Sequence, residues 1–389
     1  MDRAQIHSRR TEKISPFIVM EVLERAQQME RCGEHIVHLE VGEPDFATPS
    51  KIVEAGQAAL ARGETHYTHS LGIWPLREAI AEDYSKNYSI EVSPDQVIVT
   101  SGTSPALLLV LSAILNPGDE VICANPSYAC YKNFIAYLSA RFHPVKVYED
   151  DGFQFRPEQI KAKITPKTKA ILINSPSNPT GNLLSAQVME QIAHLGPLVI
   201  SDEIYHGLVY GDPAHSILEF SSNAVVLNGF SKLFAMTGWR LGYLIVPQAL
   251  VRPIQKLQQN FFISANAFVQ WAGVAALTES HPEIETMVAT YDQRRKFMIE
   301  RLRDLGFKIS VEPTGAFYVF ANAKRFCSNS YEFAFELLEN AHVAVTPGID
   351  FGTNGEGFLR FSYANSIDNI QLGVERIKRY LQTREKCIE

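Results

Sequence analysis

The chain has 389 residues, 46% of them hydrophobic, and its 36 basic and 43 acidic side chains give a formal net charge of −7. This length allows one large and one smaller domain, each with its own hydrophobic core. The negative charge and the scattered basic residues give no electrostatic reason to bind nucleic acid or an anionic membrane. The most apolar run, 106–115, is about half the ~20 residues needed to cross a bilayer, and the apolar stretch 17–20 is too short for a secretory signal. We therefore expect a cytoplasmic protein.

The cysteines and histidines predict neither a disulfide framework nor a metal site. The cysteines are odd in number, widely spaced and contain no C-x-x-C pair: Cys32, Cys123, Cys130, Cys327 and Cys387. The pairs His35/His38 and His66/His69 lack the further ligands that a metal site needs. We interpret these histidines as ordinary surface or core residues and expect no metal.

Between about residues 95 and 250, short apolar segments alternate with helical stretches. The helix predicted at 185–195 has Ser185 as its N-cap. The apolar segments show little polar alternation, which is typical of strands buried on both faces. They are Val97–Thr100, Glu120–Ala124, Ala170–Asn174, Leu198–Ser201, Ala224–Asn228 and Leu241–Val246. This alternation predicts an α/β fold with a mostly parallel sheet flanked by helices.

After Pro282 the pattern predicts a second, smaller α+β domain. A long charged helix runs to about Leu305, and a last helix is expected near 367–381. Strand candidates lie between them at Phe307–Val311, Ala316–Ala321, Val343–Thr346 and Phe358–Ser362. Composition does not decide which part the first 45 residues or so join.

In open α/β sheets, ligands bind at the carboxyl ends of the strands. One predicted strand is followed there by Ser101–Ser104 and a helix with Pro105 in its first turn. Small residues before a helix N-terminus suit an anion, although a plain turn explains them as well. Another strand is followed by Asn174–Gly181, whose prolines fit a rigid turn and whose Asn178 has a free amide.

The next two strand ends carry charged residues. Asp202, with Glu203 and Tyr205, follows one of them, and a carboxylate buried there needs a cation nearby. A helix N-cap role explains Asp202 equally well. Lys232 follows the other, among apolar neighbours such as Phe230. Loss of solvent there lowers a lysine pKa and favours the neutral amine that forms a Schiff base.

Together these residues resemble the class I/II aminotransferases, the aspartate aminotransferase superfamily of fold type I, which depend on pyridoxal 5′-phosphate (PLP). The resemblance runs from Val41–Phe46 to Arg360–Tyr363, and its most specific part is Ser231–Tyr243. The matching residues follow the family's order: Tyr67, Ser101-Gly-Thr, Tyr128, Asn178-Pro, Asp202-x-x-Tyr205, Lys232, Arg240 and Arg360. The resemblance implies a large PLP-binding domain at 46–280 with a mostly parallel seven-stranded sheet. It also implies a small domain formed by 1–45 and 281–389.

The resemblance further implies roles around the cofactor ring. Lys232 would hold PLP as an aldimine and move the proton between substrate and cofactor carbon atoms. Asp202 would keep the pyridine nitrogen protonated, so that the ring accepts electrons from Cα. Asn178 and Tyr205 would donate hydrogen bonds to the ring's 3-oxygen, and Tyr128 would stack on the ring face.

The phosphate and the substrate have their own implied partners. Gly102, Thr103, Ser231 and Arg240 would hold the phosphate, and Tyr67 would reach a phosphate in a partner subunit. This implies a homodimer with shared active sites. The substrate carboxylate would bind Arg360, with Gly42 and Asn178 beside it.

The chain departs from the family at three places. Gly229 stands where many relatives have a serine, so one phosphate hydroxyl is missing. The stretch Ile263–Asn266 differs from the usual Thr-Ser-x-Pro. Ser104 stands where some aspartate-using relatives carry a lysine.

The sequence thus predicts transamination between an L-amino acid and a 2-oxo acid in two half-reactions, in amino acid metabolism or biosynthesis. A C–S lyase or a cyclopropane-forming synthase on the same scaffold is the alternative, although Met236–Arg240 is more like transaminases. A non-catalytic PLP-sensing regulator is more remote, because no basic DNA-reading module is present. Aspartate, alanine, aromatic and methionine-type donors all stay open. Phe17, Ile73 and Trp74 are candidates for an apolar pocket wall.

Overall fold

The computed structural model describes residues 7–386, so Cys387 lies outside the described residues. The helices are α1 (Arg9–Glu12), α2 (Ile18–Arg31), α3 (Ser50–Ala61), α4 (Trp74–Tyr88), α5 (Thr103–Ile114), α6 (Tyr131–Tyr137), α7 (Pro157–Lys161), α8 (Ala186–Ala193), α9 (Gln248–Phe261), α10 (Ala267–Thr278), α11 (Pro282–Asp304), α12 (Ser330–Ala341) and α13 (Ile367–Lys386). The strands are β1 (Val37–His38), β2 (Val97–Thr100), β3 (Glu120–Asn125), β4 (Arg141–Lys146), β5 (Thr168–Asn174), β6 (Leu198–Asp202), β7 (Ala224–Gly229), β8 (Gly242–Ile245), β9 (Tyr318–Asn322), β10 (Val343–Ala344), β11 (Thr346–Pro347) and β12 (Phe358–Ser362).

A seven-stranded sheet in the order β2-β8-β7-β6-β5-β3-β4 forms the centre of the fold. Only β8 runs antiparallel to its neighbours, so the predicted mostly parallel sheet and the α/β fold class are confirmed. Successive residues of β2 enter different cores, since Val97 and Val99 pack on one face and Ile98 on the other. Because helices cover both faces, these strands lack polar alternation.

All six strands predicted between residues 95 and 250 are present, and each end agrees within two residues. The helix predicted at 185–195 is α8, and the Ser185 hydroxyl accepts a hydrogen bond from the backbone N–H of Val188 at 3.3 Å. The seventh strand, β4, was not predicted. It lies at the sheet edge, exposes several of its side chains and contains Pro144, so it lacks the apolar pattern of the buried strands.

The C-terminal part contains a three-stranded antiparallel sheet, β11-β12-β9, packed against α11 and α12. The predicted strand Phe307–Val311 is wrong, because only Lys308 forms an isolated bridge, to Asn322. The predicted strand Val343–Thr346 is divided between β10 and β11. β1 pairs with β10, which connects the N-terminal segment to this part. The domain boundaries at 45/46 and 280/281 stay a prediction.

Strands β2, β3, β5, β6 and β7 all end at the same edge of the central sheet. The polar segments that follow them are therefore brought together, although they are far apart in sequence. Across residues 7–386, no helix has both the length and the apolar character required to span a membrane.

Candidate active site

A cleft of about 440 Å³ lies at this edge, between the central sheet, the start of α2 and β12. Ten of the twelve residues selected from the sequence line it: Gly42, Thr103, Tyr128, Asn178, Asp202, Tyr205, Ser231, Lys232, Arg240 and Arg360. Gly102 lies just behind its wall, against the Arg240 guanidinium. Tyr67 is the exception, since it is 81% exposed and lies away from the cleft wall of its own chain.

Lys232 projects into the cleft from the turn after β7. Its Nζ donates a hydrogen bond to the carbonyl oxygen of Gly42 at 2.6 Å and lies 5.9 Å from the centre of the Phe317 ring. Burial lowers the pKa of Lys232 to about 8, against the opposing effect of the Glu43 carboxylate. The amine is therefore easier to deprotonate than an ordinary lysine, as the sequence predicted.

Asp202 ends strand β6 and is only 7% exposed. Its Oδ2 accepts a hydrogen bond from the Tyr131 hydroxyl at 2.6 Å, and its Oδ1 accepts one from the backbone N–H of Ile204 at 3.2 Å. Burial raises the pKa of Asp202 to about 6, although both hydrogen bonds favour the carboxylate. A cationic N–H near Oδ2 would offset this loss of solvent.

Arg360 lies in the middle of β12 and is only 3% exposed. Its Nη1 donates to Asn178 Oδ1 at 2.9 Å, and its Nη2 donates to the Glu40 carbonyl and to Thr346 Oγ1. Its Nε is buried and has no hydrogen-bond acceptor in the part of the chain that the structure describes. Among the side chains of residues 7–384, no carboxylate lies within ion-pair distance of this guanidinium, so its buried positive charge has no direct ion-pair partner there.

Aromatic side chains form much of the cleft wall. The hydroxyl groups of Tyr205 and Tyr318 lie 2.9 Å apart, and the Arg360 guanidinium lies 4.3 Å from the centre of the Tyr318 ring. Phe17 at the start of α2 packs edge-on against Tyr128, with ring centres 6.0 Å apart. Phe17 therefore lines the cleft as proposed from the sequence, whereas Ile73 and Trp74 do not line the cleft of their own chain.

The start of α5 and the turn after β7 form a cradle whose donors and charge suit an anion. Gly102 has φ +101°, and a Cβ there would lie 2.6 Å from Arg240 Nη2. The first turn of α5 has no side-chain cap, so its N–H groups are available beside this guanidinium. The structure explains why position 229 is a glycine and not the serine of many relatives. A Cβ there would lie 3.0 Å from the backbone of Gly242 on β8.

Sequence reasoning missed three side chains that contact or act on the selected residues. Tyr131 binds Asp202, and Tyr318 lies between Tyr205 and Arg360. Glu43, which accepts a hydrogen bond from Thr237 at the cleft mouth, acts on Lys232 through its charge. The available signal for Tyr131 was its position three residues after Tyr128. Nothing local in the sequence marks Tyr318, which reaches the cleft only through the pairing of β9 with β12.

Comparisons with known proteins agree with this geometry. The family model of aminotransferase class I and II matches residues 34–377. The chain is 45% identical over 378 residues, 96% of this chain and 99% of the relative, to the (5-formylfuran-3-yl)methyl phosphate transaminase of Methanocaldococcus jannaschii. It is 38% identical over 373 residues to the aspartate aminotransferase of Pyrococcus horikoshii, which covers 94% of each chain. The Thermus thermophilus aspartate aminotransferase structure with maleate matches with a TM-score of 0.93 and 36% identity, over 97% of this chain and 100% of that one.

The match to the family model covers most of the chain, and the similarity to each of these proteins extends over nearly their whole length. The predicted family, fold type, enzyme class and cofactor are confirmed. The chain belongs to the class I and II aminotransferases, fold type I enzymes that depend on PLP.

Proposed function

We propose that this aminotransferase moves the amino group of an L-amino acid to a 2-oxo acid in two half-reactions, with Lys232 as the covalent attachment point of PLP. The observation that carries the proposal is the charge arrangement of one cleft. It contains a lysine with a lowered pKa, a buried carboxylate with a raised pKa, and a buried arginine without an ion-pair partner among residues 7–386.

The residues present fit the cofactor. Its phosphate would be held by Gly102, Thr103, Ser231 and Arg240. The uncapped start of α5 and the Arg240 guanidinium converge there, and a side chain at Gly102 would collide with that guanidinium. Asp202 would hold the ring nitrogen, since burial raises the pKa of this carboxylate even though the charge of Lys232 favours its ionised form. When bound, PLP supplies an aldehyde that reacts with amines and a ring that withdraws electrons from the substrate Cα.

Each side chain then has a defined task. The Tyr131 hydroxyl orients the Asp202 carboxylate, which would keep a proton on the ring nitrogen of the cofactor. The Lys232 amine removes and returns the proton at the substrate Cα, and its lowered pKa makes the neutral, basic form accessible near neutral pH. Asn178 and Tyr205 lie beside this centre, where they would donate hydrogen bonds to the ring 3-oxygen.

Arg360 would bind the α-carboxylate of the substrate. Its guanidinium is held by Asn178, Thr346 and the Glu40 carbonyl, and its charge is not neutralised by an ion pair within residues 7–386. Such a preorganised cation binds a carboxylate through two charge-assisted hydrogen bonds.

We expect Arg360→Gln to lower kcat/KM by about 100-fold, mainly through KM, because it removes charged hydrogen bonds worth about 1.5–3 kcal/mol each. Arg379→Gln, at a side chain of α13 that is 74% exposed, is the matched control and should behave as the unmodified protein. Steady-state kinetics with a saturating 2-oxo acid measures the difference. An unchanged KM in Arg360→Gln would remove this residue from the substrate site.

The substrate side chain is best identified by experiment. The cleft lining contains three basic residues within the described part of the chain, Lys232, Arg240 and Arg360, and each already has a role. A second substrate carboxylate would therefore need a cation from a partner subunit. The relatives named above act on aspartate and on a formylfuran phosphate, so acidic, apolar and aromatic donors all belong in a test panel.

The test of the proposed function is conversion of the PLP-loaded protein by single amino acids, followed by absorbance. We expect at least one L-amino acid to convert the bound cofactor completely, to form one equivalent of 2-oxo acid, and to stop there until an acceptor is added. Continuous 2-oxo acid formation without an acceptor would instead support a C–S lyase. No conversion by any donor would refute transamination.

We also propose a homodimer in which Tyr67 reaches the phosphate site of the other subunit. Tyr67 is a large exposed side chain, as are Trp74, Phe261 and Ile263, which are 47%, 56% and 46% exposed. A hydrogen bond of 3.4 Å from the Thr68 N–H to the Ser264 hydroxyl connects the two loops. Large exposed aromatic side chains of this kind are typical of interfaces.

For this arrangement, light scattering should give twice the 43.6 kDa mass of one chain. Tyr67→Phe should weaken PLP binding roughly 5- to 10-fold, as expected for one lost hydrogen bond. Tyr137→Phe, at another exposed tyrosine, is the control. A monomer, or equal PLP affinity of the two variants, would contradict the shared site.

A further inference from the structure

His206 directly follows Tyr205 and is buried behind the cleft, with 6% of its surface exposed. Its two ring nitrogens face different partners. Nε2 lies 3.0 Å from the carbonyl oxygen of Ser175, and Nδ1 lies 2.6 Å from the Tyr88 hydroxyl. The Tyr88 ring also packs against the imidazole, with ring centres 5.6 Å apart.

These contacts determine the tautomer of His206. A backbone carbonyl can only accept a hydrogen bond, so the proton must be on Nε2. Nδ1 then accepts the hydrogen bond of the Tyr88 hydroxyl. Burial lowers the pKa of His206 to about 3, so the ring stays neutral even though the Glu203 carboxylate lies 3.6 Å from Nδ1. His206 is therefore a fixed donor towards Ser175.

Ser175 begins the loop that carries Asn178. Its backbone N–H donates to the Asp202 carbonyl at 3.3 Å, and the Asn174 side-chain amide donates to the same carbonyl at 2.9 Å. Asn174 Oδ1 in turn accepts the backbone N–H of Asn178 at 2.8 Å. The loop is thus fastened to the end of β6 by Asn174, by the Ser175 backbone and by the imidazole of His206.

We infer that His206 is a positioning residue that fixes the Asn174–Asn178 loop and Tyr205 relative to each other through its Nε2–H bond to Ser175. This inference rests on the proposed function, in which Asn178 and Tyr205 donate to the same cofactor oxygen. His206 itself lies outside the wall of the cleft. It acts by setting the distance between two donors that come from different strands.

Two amide variants separate the two ring nitrogens. The amide of His206→Gln can occupy the place of Nε2 and donate to Ser175, whereas the shorter amide of His206→Asn reaches only the place of Nδ1, next to Tyr88. Both substitutions put a neutral amide in the same buried position, so they form a matched pair. The readout is the pH midpoint of the absorbance change of the PLP-loaded protein, measured beside thermal unfolding of each variant.

In His206→Asn we expect this midpoint to rise by roughly one pH unit, because a displaced Asn178 stabilises the anionic cofactor oxygen less well and the Lys232 nitrogen keeps its proton longer. In His206→Gln the midpoint should stay within about 0.2 units of the unmodified protein. Equal midpoints in the two variants would overturn the inference. If neither variant folds, Tyr88→Phe at the half-buried Tyr88 takes their place, because without the hydroxyl that holds Nδ1 the imidazole can rotate away from Ser175. A smaller rise supports the inference, and an unchanged midpoint overturns it.

A failure of the inference about His206 can be distinguished from a failure of the proposed function. If PLP is not attached at Lys232, the unmodified protein itself will lack a pH-dependent absorbance change. If the unmodified protein shows that change and both amide variants share its midpoint, only the role of His206 is lost.

Discussion

Replacing Lys232 by alanine should reduce turnover by on the order of 10⁴-fold while leaving the protein able to bind PLP, because the variant lacks the amine that moves the Cα proton. The phosphate cradle around Gly102 and Arg240 and the buried Asp202 carboxylate are untouched by this change. Binding should therefore persist without a covalent attachment. Turnover with the best donor of the panel and equilibrium dialysis of PLP measure the two effects.

Lys256→Ala, at an exposed lysine of α9, is the matched control for this experiment. It removes the same side chain from the surface and should change neither turnover nor PLP binding. Near-normal turnover by Lys232→Ala would show that another group moves the proton. Loss of turnover in both variants would point to general destabilisation instead.

Replacing Asp202 by asparagine should lower kcat by roughly 10³-fold, the effect expected when one preorganised charge is removed from an enclosed site. The amide has nearly the same shape and can keep contacts to Tyr131 and to the Ile204 N–H. It cannot hold a positive charge on the facing ring nitrogen. The fall should therefore be in kcat, with the KM of the donor changed far less.

Asp212→Asn replaces an exposed carboxylate and serves as the control. Tyr131→Phe offers an intermediate case, because it keeps the carboxylate but removes the hydroxyl that orients it. We expect a loss of about 10-fold there, close to the value of one hydrogen bond to a charged group. If Asp202→Asn and Asp212→Asn have equal kcat, Asp202 does not support the electron-withdrawing ring.

Most of the central sheet could be predicted because its strands are buried on both faces and read as short apolar segments. β4 could not, since its edge position exposes Arg141 and tolerates Pro144. The segment Phe307–Val311 has the apolar character of a strand, but it pairs only at Lys308. A hydrophobic pattern indicates that a segment is buried, but a buried segment need not form the continuous backbone hydrogen bonds of a strand.

For the active site, reasoning from strand ends located Asp202, Asn178 and Lys232, because parallel strands bring their carboxyl ends to one edge. The partners of these residues were harder to find. Tyr131 and Asp202 are 71 positions apart, and Arg360 and Asn178 are 182 positions apart. Such contacts depend on the packing of separate elements, which leaves no local trace in the sequence.

Arg360 illustrates a different kind of prediction. Its place within the apolar strand β12 argues against an ordinary surface ion pair, and the structure shows a buried guanidinium stacked on Tyr318 and Phe351. Its direction towards the cleft followed only from the resemblance to aminotransferases. The local pattern thus predicted that Arg360 is buried, and the resemblance to the family predicted its role.

Borohydride reduction of the PLP-loaded protein, followed by peptide mass spectrometry, tests the attachment to Lys232 most directly. Reduction makes the link between a lysine nitrogen and the cofactor permanent, so the modified residue can be located. We expect one pyridoxyl-phosphate group per chain, on the peptide that contains Lys232. Modification of another lysine, or no modification of a protein that has bound PLP, would contradict the proposed mechanism.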